Sequence, residues 1–386
     1  MLLVLVLLLI LRQTCSGIVH LDIEPHSLSE WTSDRNGIAT QWLNLLTQIN
    51  TKITAHAGQT LTIDVAMSYS IASAGMVTYS GVEKLLIEHV FNIVDTVVVM
   101  TYRNHAKTCA YDGFCPLDDS IISHAKLAMS AAKVAEGGDK NVYLGVETNP
   151  TLTPTKLTFG VIPALKGEEA MEKALTEAME ELQACPDMCR SDGKTPILSG
   201  FAVHDFTYYS AEAFGSQTDA SWARKAASRT CRSLWVWDTD YVLSLKGKTP
   251  ERLIEFAVAH GVNSLILEAS GLVEDDLSPQ LVSFMKKARL EGVAVEILLG
   301  THEWARTTSH ATVLRLVDKA IAVHQVVEAA TSTGTQQLCT PLFNGSGGAT
   351  SSSCTTGANG QSCGNNGSPS GTYSGSNMAT CSCSCI

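Results

Sequence analysis

The feature that most constrains this chain is an alternation of strand-length apolar runs with stretches of helical character. The runs Val19–Ile23, Leu61–Met67, Val97–Tyr102, Val142–Glu147 and Phe201–Phe206 come first, with helices expected over Gly37–Thr54, Gly81–Asn92, Asp119–Glu136 and Gly167–Ala184. The alternation resumes with Leu234–Trp237, Ser264–Glu268 and Val293–Leu299, interleaved with helices over Pro250–His260, Pro279–Glu291 and Ala311–His324. A helix after each strand returns the chain to the same end of the sheet, so the pattern predicts parallel strands. Five strands and then three make eight, the number that closes a parallel sheet and removes its edges. The expected fold class is therefore α/β, a (β/α)8 TIM barrel. The 386 residues, 45% of them hydrophobic, suffice for one barrel and a small additional segment.

The flanks differ from the barrel. Leu2–Leu11 is an uninterrupted apolar run of signal-peptide length, which sets residues 1–16 apart as an expected signal peptide. An uncleaved anchor or a misplaced gene start are the alternatives, and no later run is long enough to span a bilayer. The barrel then occupies 17–206 and 233–328, joined by a connector over 207–232. From Thr331 to Ile386 the chain is Ser, Gly, Thr, Asn and Cys with no charged residue, so the tail over 329–386 is either a module stapled by its six cysteines or a flexible stalk. Twelve cysteines in all suit an oxidising compartment, hence a secreted or extracellular location. Short-loop disulfides are open to Cys109 with Cys115 and to Cys185 with Cys189. A formal charge of -11 supplies no positive field for phosphates, which argues against nucleic acid as a partner.

Candidate chemistry lies at the strand ends. His20, Asp22 and Glu24 share one face of the first strand, while Val19, Leu21 and Ile23 share the other. Helices cover the outside of a barrel, so the polar face points inward. Buried carboxylates are costly unless paired or hydrogen-bonded, which favours a functional role over a packed polar core. Asp64, Glu147, His204 with Asp205, Asp238 and Glu268 end further strands, and His302, Glu303 and Trp304 follow the last. Tyr102 and Arg103 close the remaining strand. Each of these acids alone can cap the next helix, but their recurrence at seven of eight ends points to a shared rim at the catalytic end of a barrel. Trp237 and Trp304 offer aromatic faces for sugar rings, with core packing as the alternative for each. Trp31, Trp42 and Trp222 are read as packing.

These segments resemble a glycoside-hydrolase-like barrel family. Gly17-Ile18-Val19-His20-Leu21-Asp22-Ile23-Glu24-Pro25-His26 is similar to its acidic fourth strand, and Val99-Met100-Thr101-Tyr102-Arg103 and Gly145-Val146-Glu147-Thr148 to its sixth and seventh. Trp235-Val236-Trp237-Asp238 resembles the first strand and Gly300-Thr301-His302-Glu303-Trp304-Ala305 the end of the third. The likeness spans most of Gly17 to His324 and implies a circularly permuted order, because the third-strand segment follows the fourth. A fragment of a tandem barrel array gives the same order. Permutation is preferred because it lets the sheet close within one chain.

The resemblance implies two catalytic schemes. In one, Glu24 is the acid/base and Glu147 the nucleophile, although Ile23 stands where that clan has Asn. In the other, Asp22-Ile23-Glu24 and Met100-Thr101-Tyr102 resemble chitinase-type elements, so that Glu24 is the acid, Asp22 orients an acetamido group and Tyr102 assists. In that pattern His20 stands where Asp is usual. His20, Asp64, Tyr102, Arg103, His204, Asp205, Trp237, Asp238, Glu268, His302 and Trp304 are the expected substrate contacts, with carbohydrate as the substrate. No cofactor and no metal ligand are expected. A metal-dependent deacetylase or amidohydrolase and a non-catalytic carbohydrate-binding or surface protein remain the alternative classes. The sequence leaves the oligomeric state open.

Overall fold

The computed structural model describes residues 17–56, 59–101, 121–136, 140–152, 158–159, 167–183, 189, 197–209, 231–274 and 279–332. The leader, most of the connector, Tyr102, Arg103 and the tail beyond 332 lie outside the described residues. The strands are β1 (Val19–Leu21), β2 (Leu61–Ala66), β3 (Met76–Tyr79), β4 (Val82–Leu85), β5 (Thr96–Met100), β6 (Asn141–Glu147), β7 (Leu198–His204), β8 (Cys231–Val236), β9 (Ser264–Glu268) and β10 (Ala294–Leu299). Eight of them close a parallel barrel in the order β1-β10-β9-β8-β7-β6-β5-β2. All eight expected barrel strands are present. The seam joins the two ends of the strand sequence: Val19 aligns with Ile297 of β10 on one side and with Leu61 of β2 on the other.

The period of two in each strand sorts the side chains into two cores. Outward residues such as Val19, Leu21, Ile63, Val97, Leu144 and Ile297 join one large cluster under the helices. Inward residues Val98, Tyr143, Ala202, Cys231, Trp235, Ile266 and Leu298 form a second cluster that fills the barrel. The outer ring includes α1 (Arg35–Thr54), α2 (Leu86–Ile93), α3 (Ile121–Val134), α4 (Gly167–Gln183), α5 (Pro250–Ala259), α6 (Pro279–Leu290) and α7 (His310–Ser332). Helix α1 starts where the Asp34 carboxylate accepts the Gly37 N–H at 3.0 Å. It buries Trp42, Leu45, Leu46, Ile49 and Ile53 on one helical face. Proline at the first turn and Thr249 as N-cap begin α5.

Three expectations are corrected. The helix expected over Gly81–Asn92 starts later, at Leu86, and the residues before it form the β3–β4 hairpin. Ser80 and Gly81 both adopt positive φ, the backbone of a two-residue hairpin turn that a helix cannot contain. Helix α7 continues eight residues past His324 to Ser332. Cys189 is a free, buried thiol, so the pairing with Cys185 that their spacing permits is absent.

Helices α1 and α7, which follow the two seam strands, are linked by Lys52 and Asp318 at 2.7 Å. Such exposed pairs contribute about 0–1 kcal/mol, so backbone pairing and packing carry the closure. The seam is tight at Gly300, where a Cβ would lie 1.9 Å from the backbone oxygen of Asp22. Gly300→Ala is therefore expected to lower stability by about 1–3 kcal/mol, as overpacking does. Gly271→Ala, with open space around it, is expected to be neutral or stabilising. Thermal melts of both variants test the seam: equal melting temperatures would contradict a closed β1–β10 contact.

Candidate functional site

The barrel interior holds an ionised core built from its seam strands. His20 on β1 places Nε2 2.9 Å from Asp64 Oδ2 on β2 and Nδ1 3.4 Å from Glu296 Oε2 on β10. The Thr62 hydroxyl donates to Glu296 and lies 2.9 Å from His20 Nδ1, and Ser264 donates to the other Glu296 oxygen at 2.9 Å. Burial alone lowers the proton affinity of His20, but Asp64 and Glu296 together outweigh it and raise the pKa to about 10. The ring is thus an imidazolium between two carboxylates, and each acid receives a hydroxyl or indole donor as well. Only a small gap lies beside it, lined by His20, Thr62, Thr96, Tyr143, Ser233 and Glu296 among others.

Trp235 forms the floor of the rim. Its Nε1–H donates to Asp64 Oδ2 at 3.2 Å. Its ring meets His20 edge-on at 6.1 Å and His204 at 5.8 Å. Along β8 the inward positions Ser233, Trp235 and the following Trp237 lead from the closed end to the open one.

The C-terminal rim carries the acids. Burial, followed by the charges of Asp64 and Glu24, raises the Asp22 pKa to about 7, with His20 and His204 pulling the other way. Asp22 Oδ1 is buried with no hydrogen-bond partner among the described residues. Glu24 is partly exposed beside it and accepts from the Ser27 hydroxyl at 3.3 Å. Tyr69, fully buried, holds its hydroxyl 2.8 Å from His26 Nδ1. Burial and then the Glu24 charge keep that phenol protonated, its pKa well above the usual value.

Glu147 is enclosed differently. Its Oε1 accepts the backbone N–H groups of Thr148 at 2.8 Å and Asn149 at 2.7 Å, while Oε2 sits 2.8 Å from His204 Nδ1. His204 Nε2 in turn receives the Trp237 indole N–H at 2.9 Å. Burial lowers the pKa of His204, but the hydrogen bond and charge of Glu147, with Asp205 and Asp64, raise it overall.

His20, Asp22, Asp64, Glu147, His204 and Trp237 are therefore linked by hydrogen bonds or by charge, with Glu24 next to Asp22. The other expected contacts are engaged locally. Glu268 accepts the Ser270 N–H at 3.0 Å, Asp205 reaches the Tyr208 N–H at 3.4 Å, and Asp238 binds Lys248 and the Asp240 N–H. His302 is about half exposed and lies 3.3 Å from Glu303, and Trp304 packs against the outer core. Four contributors escaped sequence reasoning: Glu296, Thr62, Trp235 and Tyr69. The first had a signal, since it is an acid in the middle of an otherwise apolar strand, Ala294-Val295-Glu296-Ile297-Leu298-Leu299.

Among the described residues no group of three His, Cys, Asp or Glu side chains is arranged to hold a metal ion, and no helix is long and apolar enough to cross a membrane. Two titrations in the site contribute to the pH dependence of stability. Asp22 has a folded pKa near 7 against 3.8, so its contribution is full below pH 3.8 and is lost as pH rises through about 7. His20 has one near 10 against 6.5, so its contribution is full below pH 6.5 and is lost as pH rises through about 10. Asp22→Asn stays neutral, so the wild-type melting temperature is expected to fall relative to this variant between pH 4 and about 7 and to run parallel above pH 8. Parallel curves throughout would mean that Asp22 ionises normally. Comparison with protein-family models finds no match for this chain, and comparison with curated proteins finds none either.

Proposed function

We propose that this protein is a secreted, glycoside-hydrolase-like enzyme that cleaves a carbohydrate bearing N-acyl groups, with Glu24 as general acid/base. The chain order is that of such a barrel cut between its third and fourth strands. One observation carries the reading: Asp22, next to Glu24 at the open end, has its pKa raised to about 7 by burial first and then by the negative charges of Asp64 and Glu24. A neutral carboxyl with an unpartnered buried oxygen suits an amide group, which both accepts and donates hydrogen bonds.

In this mechanism Glu24 protonates the glycosidic oxygen as the bond to the leaving sugar breaks. Asp22 holds the acetamido group so that its carbonyl oxygen attacks the anomeric carbon, the substrate-assisted route. Water then opens the resulting ring as the Glu24 carboxylate takes a proton from that water, which restores the acid. Glu147 is less suited to attack. Both of its oxygens are already engaged, one by two backbone N–H groups and the other by His204.

The two schemes differ in kinetics. With N-acetylglucosamine tetramer as substrate, Glu24→Gln is expected to lower kcat by about 10²–10⁴-fold while leaving binding within a few-fold. Glu147→Gln is expected to raise KM more than it lowers kcat. Equal collapse of kcat in both variants would restore Glu147 as nucleophile. Binding unaffected by Glu24→Gln, with no turnover by the wild type on N-acylated or plain glucan oligomers, would instead mark a carbohydrate-binding protein.

A further inference from the structure

Trp237 is an unusual surface residue because its one polar atom is fixed. The side chain is 40% exposed just beyond the end of β8, yet its N–H is turned inward onto His204 Nε2. An indole N–H only donates, so Nε2 must accept and the ring proton resides on Nδ1, where it is donated to Glu147. Glu147 is itself clamped by the Thr148 and Asn149 amides. Thr148 closes the chain by donating its hydroxyl to the His204 carbonyl oxygen at 2.8 Å. The relay thus runs from backbone to an exposed aromatic face, each member held by the next. His204 meets the Trp237 ring edge-on at 5.8 Å and 68°.

We propose that Glu147 and His204 are positioning residues that hold Trp237 as a preorganised stacking platform for a sugar ring, and that protonation of His204 releases it. This rests on the carbohydrate reading above. Adding a proton to Nε2 sets two N–H groups against each other, and the hydrogen bond that fixes the indole is lost. Among the described residues, the charged and titratable groups facing the imidazole include Glu147 from β6, Asp205 beyond β7, Asp64 from β2 and Asp22 beyond β1. All four are acids, and they favour the protonated ring. The Trp237 N–H opposes it, so the platform is intact at high pH and freed at low pH. Its role explains why a carboxylate at the end of β6 is enclosed rather than presented.

The test measures the affinity of the full chain for N-acetylglucosamine tetramer and for cellotetraose between pH 5.5 and 8.5. Wild type is expected to bind at least one of them about five- to tenfold more weakly at pH 5.5, the loss of about one hydrogen bond. His204→Gln, whose amide can accept from Trp237 and donate to Glu147 without titrating, is expected to show a flatter profile at near wild-type affinity. Trp237→Ala is expected to bind about tenfold or more weakly at every pH, as loss of a stacking face does. Unchanged affinity in Trp237→Ala, or the same pH profile in wild type and His204→Gln, would overturn the platform while leaving the carbohydrate reading intact. Failure of both sugars to bind wild type at every pH would overturn both.

Discussion

The imidazolium of His20 between Asp64 and Glu296 is the interaction on which the rest of the site depends. Strand β1 is only three residues long, and its ladder pairs with β2 and β10 are correspondingly few. His20 adds a side-chain tie to each neighbour at the seam. Taking such charges out of water costs several kcal/mol per ion unless partners restore the lost solvation, on the order of what the paired geometry returns. Here Thr62 and Ser264 serve both oxygens of Glu296 and Trp235 serves Asp64 Oδ2, while Asp64 Oδ1 stays buried without a hydrogen-bond partner among the described residues. Once β1 is fixed, Asp22 and Glu24 follow immediately at the open end.

The interior is accordingly graded. At the closed end hydroxyls and charges line a small cavity, and inward apolar side chains such as Val98, Tyr143 and Ile266 meet it. Trp235 joins that apolar cluster yet gives its one donor to Asp64. At the open end the acids and His204 gather around it. Water is excluded from the charged core by packing, while the rim remains partly exposed at Glu24 and Trp237. This separation lets one carboxylate, Asp64, stay paired while another, Asp22, stays protonated.

The eight barrel strands were legible because each apolar run is long, rich in β-branched residues, and followed by a helical or polar stretch. The inward polar face of β1 was legible for the same reason, since a period of two assigns faces without knowledge of neighbours. What the sequence could not separate were acids that converge from acids that cap. Both Glu268 and Asp64 read as strand-end acids, but Glu268 ends β9 and accepts from its own downstream backbone, whereas Asp64 lies inside β2 and reaches β1 and β8. Convergence depends on register and barrel tilt, which no local pattern encodes. Trp235 and Glu296 escaped because an inward residue in mid-strand looks like any other core position until its neighbours across the barrel are known. The hairpin before α2 was missed because Val82–Leu85 carries no strand alternation, and only the Ser80-Gly81 pair marked the turn.

Asp64 also shows why stability and chemistry cannot be varied independently here. Its carboxylate stabilises the His20 imidazolium, accepts the Trp235 indole proton, and raises the proton affinity of Asp22 and of His204. Removing its charge relieves Asp22 of a repulsion but leaves His20 with one carboxylate instead of two. Burial does most to hold the proton at Asp22, and the way the barrel is closed adds to it: the charge that fastens β1 to β2 also favours the neutral form of its neighbour. A chain that fastened this seam with apolar side chains would close as well, and its rim would lose one of the charges that, after burial, raise the proton affinity of Asp22.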